Sequence, residues 1–297
     1  MVAYKSILIG LDLTDMDQVM LRYARFLCEA LPGVGEVYFQ HNIRFDYPEE
    51  AESLLEELER PLSELIGEEI EENIDTHFLQ QNSGKVPDVD WEVIVTEGSS
   101  TAQEIVKTAN AQEVELIVVG KKLSYQGSGQ VAEKVLRQAT LKSDLLAVPE
   151  TAPHRMERIV VPIDFSQASR RALLAGKRIE DAVGGLLTSQ HVYTIPMHYF
   201  PFIPVQGFRK SMKEEAEDQY KRFRRGLPEP LQSISCVFTY SEDRTTAQAV
   251  YDFAIQKSKD LVIIGSKGRS NIPAILLGST AIQLLNFEFH IPVLIVR

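Results

Sequence analysis

The sequence predicts an α/β protein with two doubly wound, open parallel sheets of five strands each, arranged as a tandem repeat. Three observations lead to this fold class. The chain has 297 residues, a length that suggests two ordinary domains. Several short segments recur about 150 residues apart. Within each half, short apolar runs alternate with helical patterns, as in a parallel sheet that helices cover on both faces.

The recurring segments are long enough to indicate an internal duplication. Lys5–Asp15 (KSILIGLDLTD) recurs as Glu157–Gln167 (ERIVVPIDFSQ), and in both an aspartate follows an apolar run. Glu115–Gly120 (ELIVVG) recurs as Asp260–Gly265 (DLVIIG). Because the repeats occur in the same order, each half is expected to form the same supersecondary units.

Each copy of the duplication is expected to form one domain, the first over residues 1–150 and the second over residues 151–297. In the first domain the strands are expected near 5–11, 35–40, 91–96, 115–119 and 144–148. Its helices are expected near 15–30, 48–80, 100–112 and 130–141, with a break at Pro61. In the second domain the strands are expected near 158–163, 185–192, 233–240, 260–264 and 292–296. Its helices are expected near 166–182, 209–225, 245–257 and 279–286. Right-handed crossovers then give an open sheet in each domain.

The composition is that of an ordinary globular protein, but the charge is unevenly distributed. Apolar residues make up 44% of the chain and charged residues 25%. Residues 1–150 carry 12 basic and 28 acidic residues, whereas residues 151–297 carry 19 and 14. An anionic ligand should therefore prefer the second half. Neither half contains a long basic stripe, which argues against nucleic-acid binding.

The sequence also predicts a cytoplasmic protein without a membrane partner. No apolar run is long enough to cross a bilayer. The N-terminal stretch MVAYKSILIG predicts a first strand rather than a signal peptide. Cys28 and Cys236 lie in apolar patterns far apart in the chain, and both are expected to be reduced core residues.

Gly265–Thr280 (GSKGRSNIPAILLGST) carries the strongest functional signal. It follows the apolar run Leu261–Ile264, which predicts a buried strand, and it leads into a helical pattern. Glycine can adopt positive φ and lets backbone N–H groups approach a ligand. Ser279 and Thr280 are expected as N-cap residues of a helix whose N-terminus attracts anions. The stretch predicts a phosphate-binding loop, with a tight turn and an ordinary helix cap as the alternative.

The glycine spacing in this stretch carries a family resemblance. Gly265, Gly268, Gly278 and Ser279 form the pattern Gly-x2-Gly-x9-Gly-Ser, which resembles the ATP-binding signature of the universal stress protein family. The resemblance covers nearly the whole chain. It implies a fold that is flavodoxin- or Rossmann-like and adenine nucleotide alpha hydrolase-like, with the two halves forming a pseudo-dimer. It also implies bound ATP, or AMP or ADP, with Mg²⁺ as an optional companion ion.

The remaining site residues are expected at the carboxyl ends of the strands, where open α/β sheets bind ligands. By similarity to the family, Asp164 meets the adenine or ribose and Val192 lines the base. Asp164 has the alternative role of capping the following helix. Lys267 and Arg269 lie inside the loop, where they either add positive charge or face solvent. The expected nucleotide-binding set is Ile163, Asp164, Phe165, Ser166, Val192, Gly265, Lys267, Gly268, Arg269, Gly278, Ser279 and Thr280.

The first half departs from the signature. Leu123 stands where the second glycine should be, and Gly120 and Gly129 are 9 positions apart, against 13 between the matching glycines of the second half. Leu123 should resist positive φ and crowd a phosphate. We therefore expect one nucleotide per chain, with a small anion nest at Gly127–Gly129 as the alternative.

Other sequence motifs argue against competing functions. The chain has no Gly-x4-Gly-Lys-Ser/Thr loop, no His-Glu-x-x-His and no paired cysteine motif, which argues against a structural metal. His41 and His191 recur at strand ends, where packed histidines are expected rather than catalytic ones. No Ser-His-Asp or Cys-His set can be assembled from local sequence.

The sequence therefore predicts a stress-response protein that binds ATP and regulates protein interactions, non-enzymatic or with very slow ATP hydrolysis. A nucleotide-free interaction scaffold with a vestigial site and a slow ATP hydrolase are the alternatives. The last strands, Asp144–Pro149 and Pro292–Val296, are expected to pair within the chain, and a homodimer is a further expected assembly. Tyr193–Phe208 is apolar and proline-rich, and it is either a packed loop or a lid or dimer contact.

Overall fold

The computed structural model describes residues 3–44, 58–80, 87–122, 130–138, 140–195, 205–242, 244–268, 277–287 and 290–297. The chain divides into two compact units, the first ending at His154 and the second comprising Arg155–Arg297. Among the helices within the described ranges, none combines the length and the apolar character that crossing a bilayer requires.

The first unit alternates strands and helices along the chain. Its strands are β1 (Ser6–Leu11), β2 (Glu36–Ile43), β3 (Asp90–Glu97), β4 (Leu116–Lys121) and β5 (Asp144–Pro149). Its described helices are α1 (Met16–Ala30), α2 (Leu62–Ile74), α3 (Thr101–Ala111) and α4 (Gln130–Leu136). A π-helical turn, Asp75–Leu79, directly follows α2.

The second unit repeats this alternation. Its strands are β6 (Arg158–Pro162), β7 (Leu186–Thr194), β8 (Ser235–Ser241), β9 (Leu261–Gly265) and β10 (Val293–Val296). Its described helices are α5 (Gln167–Val183), α6 (Val205–Arg225), α7 (Glu229–Gln232), α8 (Thr246–Gln256) and α9 (Ser279–Asn286).

Both units contain a parallel sheet with the same strand order. That order is β3-β2-β1-β4-β5 in the first unit and β8-β7-β6-β9-β10 in the second. Ile7 of β1 lies opposite Val37 of β2 and Leu116 of β4, and β6 likewise pairs with β7 and β9. The order therefore reverses beside β1 and beside β6, which places a crevice at the carboxyl ends of these strands. The predicted doubly wound α/β fold is confirmed.

The strands beside each reversal are buried on both faces. Ile7, Leu8 and Ile9 of β1 are fully buried, and all five residues of β9 are buried. Such continuous apolar runs are typical of parallel strands that helices cover on both sides, because neither face meets water. Because both faces of these strands are buried, the strands could be predicted from short apolar runs in the sequence.

Two predicted helices differ from the observed ones. Helix α2 begins at Leu62 directly after Pro61, its N-cap, so the predicted break occurs there, while residues 48–57 of that prediction lie outside the described part of the chain. Helix α4 ends at Leu136 instead of near residue 141. The chain turns there because the Gln138 N–H bonds the Val135 carbonyl, which brings Leu141 into the core.

The two cysteines are less buried than expected. Cys28 and Cys236 are free thiols of intermediate exposure rather than core residues. The proposed loop Tyr193–Phe208 lies largely outside the described residues, which exclude 196–204.

Candidate functional site

A cavity of about 460 Å³ opens at the carboxyl ends of β6, β7 and β9 and reaches the start of α9. Its volume falls within the roughly 300–1,000 Å³ that small-molecule sites occupy. Nine of the predicted site residues line it: Ile163, Asp164, Val192, Gly265, Lys267, Gly268, Gly278, Ser279 and Thr280. We call this the large cavity.

The large cavity opens where β6 and β9 separate. Their backbone ladder ends at the pair Val160 and Val262, whereas the matching ladder between β1 and β4 continues to Gly10 and Val119. Pro162 stands where the first unit has Gly10, and proline has no N–H with which to extend a ladder. Pro162 itself lines the large cavity. A proline at the strand end therefore favours an open crevice at the reversal point.

Asp164 follows β6, makes the predicted capping contacts and lines the large cavity. Its Oδ1 accepts hydrogen bonds from the Ser166 backbone N–H at 3.0 Å and from the Ser169 hydroxyl at 2.6 Å, as a residue that caps the following turn would. Its Oδ2 faces the loop after β9, 3.3 Å from the point where a β-carbon on Gly268 would stand. The carboxylate therefore both stabilises the start of α5 and forms part of the cavity wall.

The glycines of the loop do not adopt the positive φ that the sequence analysis allowed for, but at Gly265 and Gly268 a side chain would meet a close neighbour. None of Gly265, Gly268 and Gly278 is among the glycines with positive φ. A β-carbon on Gly265 would stand 2.7 Å from the Ala168 β-carbon, which is too close for any side chain. A β-carbon on Gly278 would stand 3.5 Å from the Gly268 backbone nitrogen, which is an ordinary contact distance. The missing side chain of Gly265 thus allows β9 and α5 to approach each other closely.

The N-cap of α9 is Gly278 and not Ser279 or Thr280, which is a second correction. The Gly278 carbonyl accepts the Ile282 N–H at 3.2 Å, so helical bonding begins one residue earlier than expected. Gly278 has extended φ and ψ of −63° and 132° and gives the helix no side-chain cap. The first backbone N–H groups of α9 therefore border the large cavity without a side-chain oxygen from the N-cap residue, an arrangement that suits an anion.

Comparison with known proteins decides the family. The family model described as the universal stress protein family matches residues 3–149 and, a second time, residues 156–297. The chain belongs to the universal stress protein family. A universal stress protein of Methanocaldococcus jannaschii is 26% identical over 149 residues, which are 48% of this chain and 82% of that protein.

Solved structures show the fold of this universal stress protein. The crystal structure of a universal stress protein from Archaeoglobus fulgidus DSM 4304 covers 99% of this chain and 98% of its own, with a TM-score of 0.65 and 19% identity. A universal stress protein solved in complex with cAMP matches 48% of this chain and 98% of its own, with a TM-score of 0.30 and 24% identity. That second likeness is too distant to indicate a ligand for this chain.

Two predicted site residues of this universal stress protein, Phe165 and Ser166, do not line the large cavity. Phe165 has a positive φ of 65°, and its ring stacks on His191 with 4.3 Å between ring centroids. The same ring lies 5.6 Å from the ring of Phe223 on α6, so Phe165 packs on its own unit. Ser166 caps α5 by accepting the Ser169 N–H. Arg269 lies outside the described residues.

Several residues that line the large cavity were not predicted from the sequence: Pro162, Ser169, Gln190, His191, Thr246, Ile264, Leu277 and Ala281. Gln40-His41 recurs as Gln190-His191, and this repeat was a usable signal for two of them. His191 packs as expected, because its Nδ1 lies 2.8 Å from the Ile163 carbonyl oxygen, which can only accept. Gln190 is buried and donates from Nε2 to Thr239 Oγ1 at 2.9 Å, so it fixes β7 to β8 beneath the cavity.

The matching crevice of the first unit is much smaller. The described residues there line a cavity of about 70 Å³. Met16 and Met20 of α1 pack against the end of β4, where a β-carbon on Gly120 would stand 2.8 Å from Met16 Cγ. The duplication aligns these methionines with Ala168 and Ala172 of the second unit. Two long side chains thus pack against the end of β4 at positions where the second unit has alanine.

The polar groups of the small cavity also differ from those of the large one. Lys122 Nζ pairs with Asp12 Oδ2 at 2.9 Å, so the aspartate that matches Asp164 is held by a lysine. Asn42 stands where the second unit has Val192, and its Nδ2 donates to the Gly98 carbonyl at 2.9 Å. Leu123, Gly127 and Gly129, by which the first half departs from the glycine signature, lie outside the described residues. The contacts of Asp12 and Asn42 are therefore a second difference between the units, separate from the glycine pattern.

No cluster of metal-binding side chains appears in the described part of this universal stress protein. Within those ranges, no group of three or more His, Cys, Asp or Glu residues could hold an ion. Asp164 contributes a carboxylate to the wall of the large cavity. A divalent ion there would need oxygen ligands from a bound phosphate as well.

Proposed function

We propose that the second unit binds one adenine nucleotide, ATP or else ADP or AMP, and that binding regulates interactions with other proteins in a stress response. The observation that carries this proposal is the large cavity, in which the Asp164 carboxylate faces Gly268 and the start of α9 also lines the wall. One cavity is thus lined by both a hydrogen-bond acceptor and an anion-binding element.

The base and ribose would occupy the end of the large cavity near β6 and β7. Ile163 and Val192 provide apolar surface there, and Asp164 provides an acceptor for a ribose hydroxyl or an adenine amine. A nucleoside needs both kinds of surface, because its rings are apolar on their faces and polar at their edges. The second unit combines apolar surface with a hydrogen-bond acceptor. In the first unit the position of the apolar Val192 is occupied by the polar Asn42.

The phosphates would lie between Lys267 and the first turn of α9. Lys267 lines the cavity and carries positive charge. The N–H groups of Ser279 and Thr280 belong to the first turn of α9, whose N-cap Gly278 provides no side-chain acceptor. Mg²⁺ bound with the nucleotide would neutralise phosphate charge, and Asp164 is the described carboxylate on this wall.

A rough energy balance shows why both ends are needed. Three or four charge-assisted hydrogen bonds to phosphate, at about 1.5–3 kcal/mol each, give roughly 5–12 kcal/mol. Association itself costs about 4–15 kcal/mol. The phosphate end would therefore bind weakly alone, and burial of the base against Ile163 and Val192 must contribute the remaining affinity.

A regulatory role fits the site better than rapid hydrolysis. Hydrolysis needs a base that positions water, and Oδ1 of Asp164 already accepts two hydrogen bonds from the start of α5. Pairing of the last strands β5 and β10, a homodimer and a cytoplasmic location remain predictions. The first of these is supported by the apolar sequences DLLAVP and IPVLIV.

The direct test is to denature the purified protein and to identify any released nucleotide by chromatography, with its molar ratio to protein. Isothermal titration calorimetry of the nucleotide-free protein with ATP should give one site per chain. Asp164→Asn should weaken binding at least tenfold, whereas the matched variant Asp12→Asn in the first unit should bind as the wild type does. Absence of binding, or two equivalent sites, would contradict the proposal.

A further inference from the structure

Ser169 lies directly beneath Asp164 and holds it from two directions. Its hydroxyl donates to Asp164 Oδ1 at 2.6 Å and accepts the Asp164 backbone N–H at 3.0 Å. Ser169 is buried, with 4% of its surface exposed, although it lines the large cavity. One hydroxyl therefore fixes both the backbone and the side chain of the residue at the end of β6.

The second donor to Asp164 completes this arrangement. The Ser166 backbone N–H bonds the same Oδ1 at 3.0 Å. With Oδ1 held by two donors, the carboxylate plane cannot rotate freely, and Oδ2 is the oxygen that faces Gly268 and the loop. The hydroxyl of Ser166, rather than that of Ser169, caps the helix by accepting the Ser169 N–H at 3.2 Å. Ser169 is therefore not needed as the cap.

The first unit shows what happens with another residue at this position. Asp17 aligns with Ser169, and its two oxygens accept the backbone N–H groups of Asp12 and Leu13, each at 2.9 Å. Asp12, which aligns with Asp164, instead accepts the Thr14 hydroxyl at 2.5 Å and pairs with Lys122. The backbone is similar in both units, because Leu13 and Phe165 have positive φ of 57° and 65°.

We propose that Ser169 is the positioning residue that directs the Asp164 carboxylate toward a ligand in the large cavity. The residue five positions after the strand-end aspartate then decides whether that aspartate faces a ligand or the protein itself. This inference rests on the proposed nucleotide binding and adds a residue to it that acts through Asp164.

The chemistry of the hydroxyl explains the choice of serine. A serine hydroxyl donates and accepts at once, so it can bond the Asp164 carboxylate and its backbone N–H together. An aspartate in its place only accepts, and its charge repels a second carboxylate. Alanine provides neither bond and leaves Oδ1 with a single described donor.

The test is a double-mutant cycle with ATP binding measured by calorimetry. Ser169→Ala should weaken ATP binding about tenfold, and Ser169→Asp should weaken it further. In an Asp164→Ala background, Ser169→Ala should cause no further loss, because Ser169 acts through the Asp164 side chain. Ser169→Thr, which keeps the hydroxyl, should restore most of the affinity.

A matched control separates positioning from general stability. Ser189 is another buried serine of the second unit, with its hydroxyl donating to the Ser235 carbonyl, and it does not line the large cavity. Ser189→Ala should leave ATP affinity unchanged, and urea unfolding of every variant should report its stability.

Two outcomes would overturn the inference and can be told apart. If the wild type binds ATP but Ser169→Ala binds equally well, or loses the same factor with and without Asp164, Ser169 does not position Asp164 and nucleotide binding still stands. If the wild type binds no adenine nucleotide, the proposed function fails and the inference fails with it.

Discussion

Met16 packs directly against Gly120, with its Cγ 2.8 Å from the point where a β-carbon on that glycine would stand. The corresponding glycine of the second unit, Gly265, faces Ala168 instead. A β-carbon on Gly265 would stand 2.7 Å from the Ala168 β-carbon. Both units therefore require glycine at the end of this strand. The residue of the facing helix that contacts this glycine differs between the units, methionine in the first and alanine in the second.

Ala168→Met should close the large cavity in the way that Met16 narrows the small one. The longer side chain would enter the space at the end of β9, so ATP affinity should fall at least tenfold while overpacking costs about 1–3 kcal/mol of stability. Calorimetry and urea unfolding measure the two effects. The matched variant Met16→Ala should cost about 2–5 kcal/mol of stability and leave ATP affinity unchanged. Wild-type affinity in Ala168→Met would show that position 168 does not limit the site.

Gly268→Ala should weaken ATP binding with little change in stability. Its β-carbon would stand 3.3 Å from Asp164 Oδ2, close enough to displace the carboxylate or the loop by a few tenths of an ångström. We expect about a tenfold loss of affinity, which corresponds to ~1.4 kcal/mol. Calorimetry with ATP measures it, and unchanged affinity would mean that the loop tolerates a side chain there.

Phosphate release would identify a slow ATPase if one exists. Any release by the wild type should fall in the double variant Gly268→Ala/Ser279→Ala, because both positions line the large cavity. Release that persists at the wild-type rate in this variant would come from a contaminating enzyme. The proposed regulatory function predicts release that is very slow even in the wild type.

Asp17 should make the first unit more stable at acidic pH. Burial, with a smaller contribution from the charge of Asp12, raises the pKa of Asp17 from 3.8 to about 6. The folded protein then binds this proton more tightly than the unfolded chain. The contribution is complete below about pH 4 and is lost as the pH rises to about 6, a change of about 3 kcal/mol.

Urea unfolding of the wild type and of Asp17→Asn between pH 4 and 7 measures this effect. The amide cannot ionise, so the stability difference between the two proteins should shift across this range in favour of the variant. Comparison at each pH cancels the titration of groups that both proteins share. A difference that stays constant with pH would show that Asp17 titrates alike in the folded and unfolded chains.

Asp260→Asn should destabilise the second unit without affecting the large cavity directly. The Asp260 side chain is fully buried and accepts hydrogen bonds from the backbone N–H and guanidinium of Arg158, and from Arg155 at 2.8 Å. Burial alone would raise the pKa of Asp260, but these bonds and charges lower it overall. Removing the charge of a buried ion pair should lower the free energy of unfolding by about 3–5 kcal/mol. The loss is reduced here because both arginines are partly exposed and solvent screens their charges.

Thermal or urea unfolding measures the loss in Asp260→Asn, and ATP calorimetry provides the control. Asp260 precedes β9, whereas the large cavity lies at the other end of that strand. Affinity should therefore stay at the wild-type value wherever the variant is folded. An unchanged unfolding midpoint would show that the two arginines contribute little.

The sequence by itself determined the fold class, the duplication and the strand ends at which a ligand site was expected. It did so because buried parallel strands read as short apolar runs, and because Asp164, Val192 and the glycines are fixed relative to those runs by local spacing alone. Gly265, Gly268 and Gly278 line the large cavity without adopting positive φ, and the approach of their backbone N–H groups to a ligand stays a prediction.

The tertiary structure decided which residues share the space around these strand ends. Pro162 ends a ladder, Ala168 meets Gly265 where Met16 meets Gly120 in the other unit, and Ser169 donates to the Asp164 carboxylate where Asp17 accepts the Asp12 backbone N–H. Each effect depends on contacts between a helix and strands distant in sequence, and such packing has no local periodicity. The sequence could therefore show where a site belongs in both units, but only the packing showed why a large cavity formed in the second.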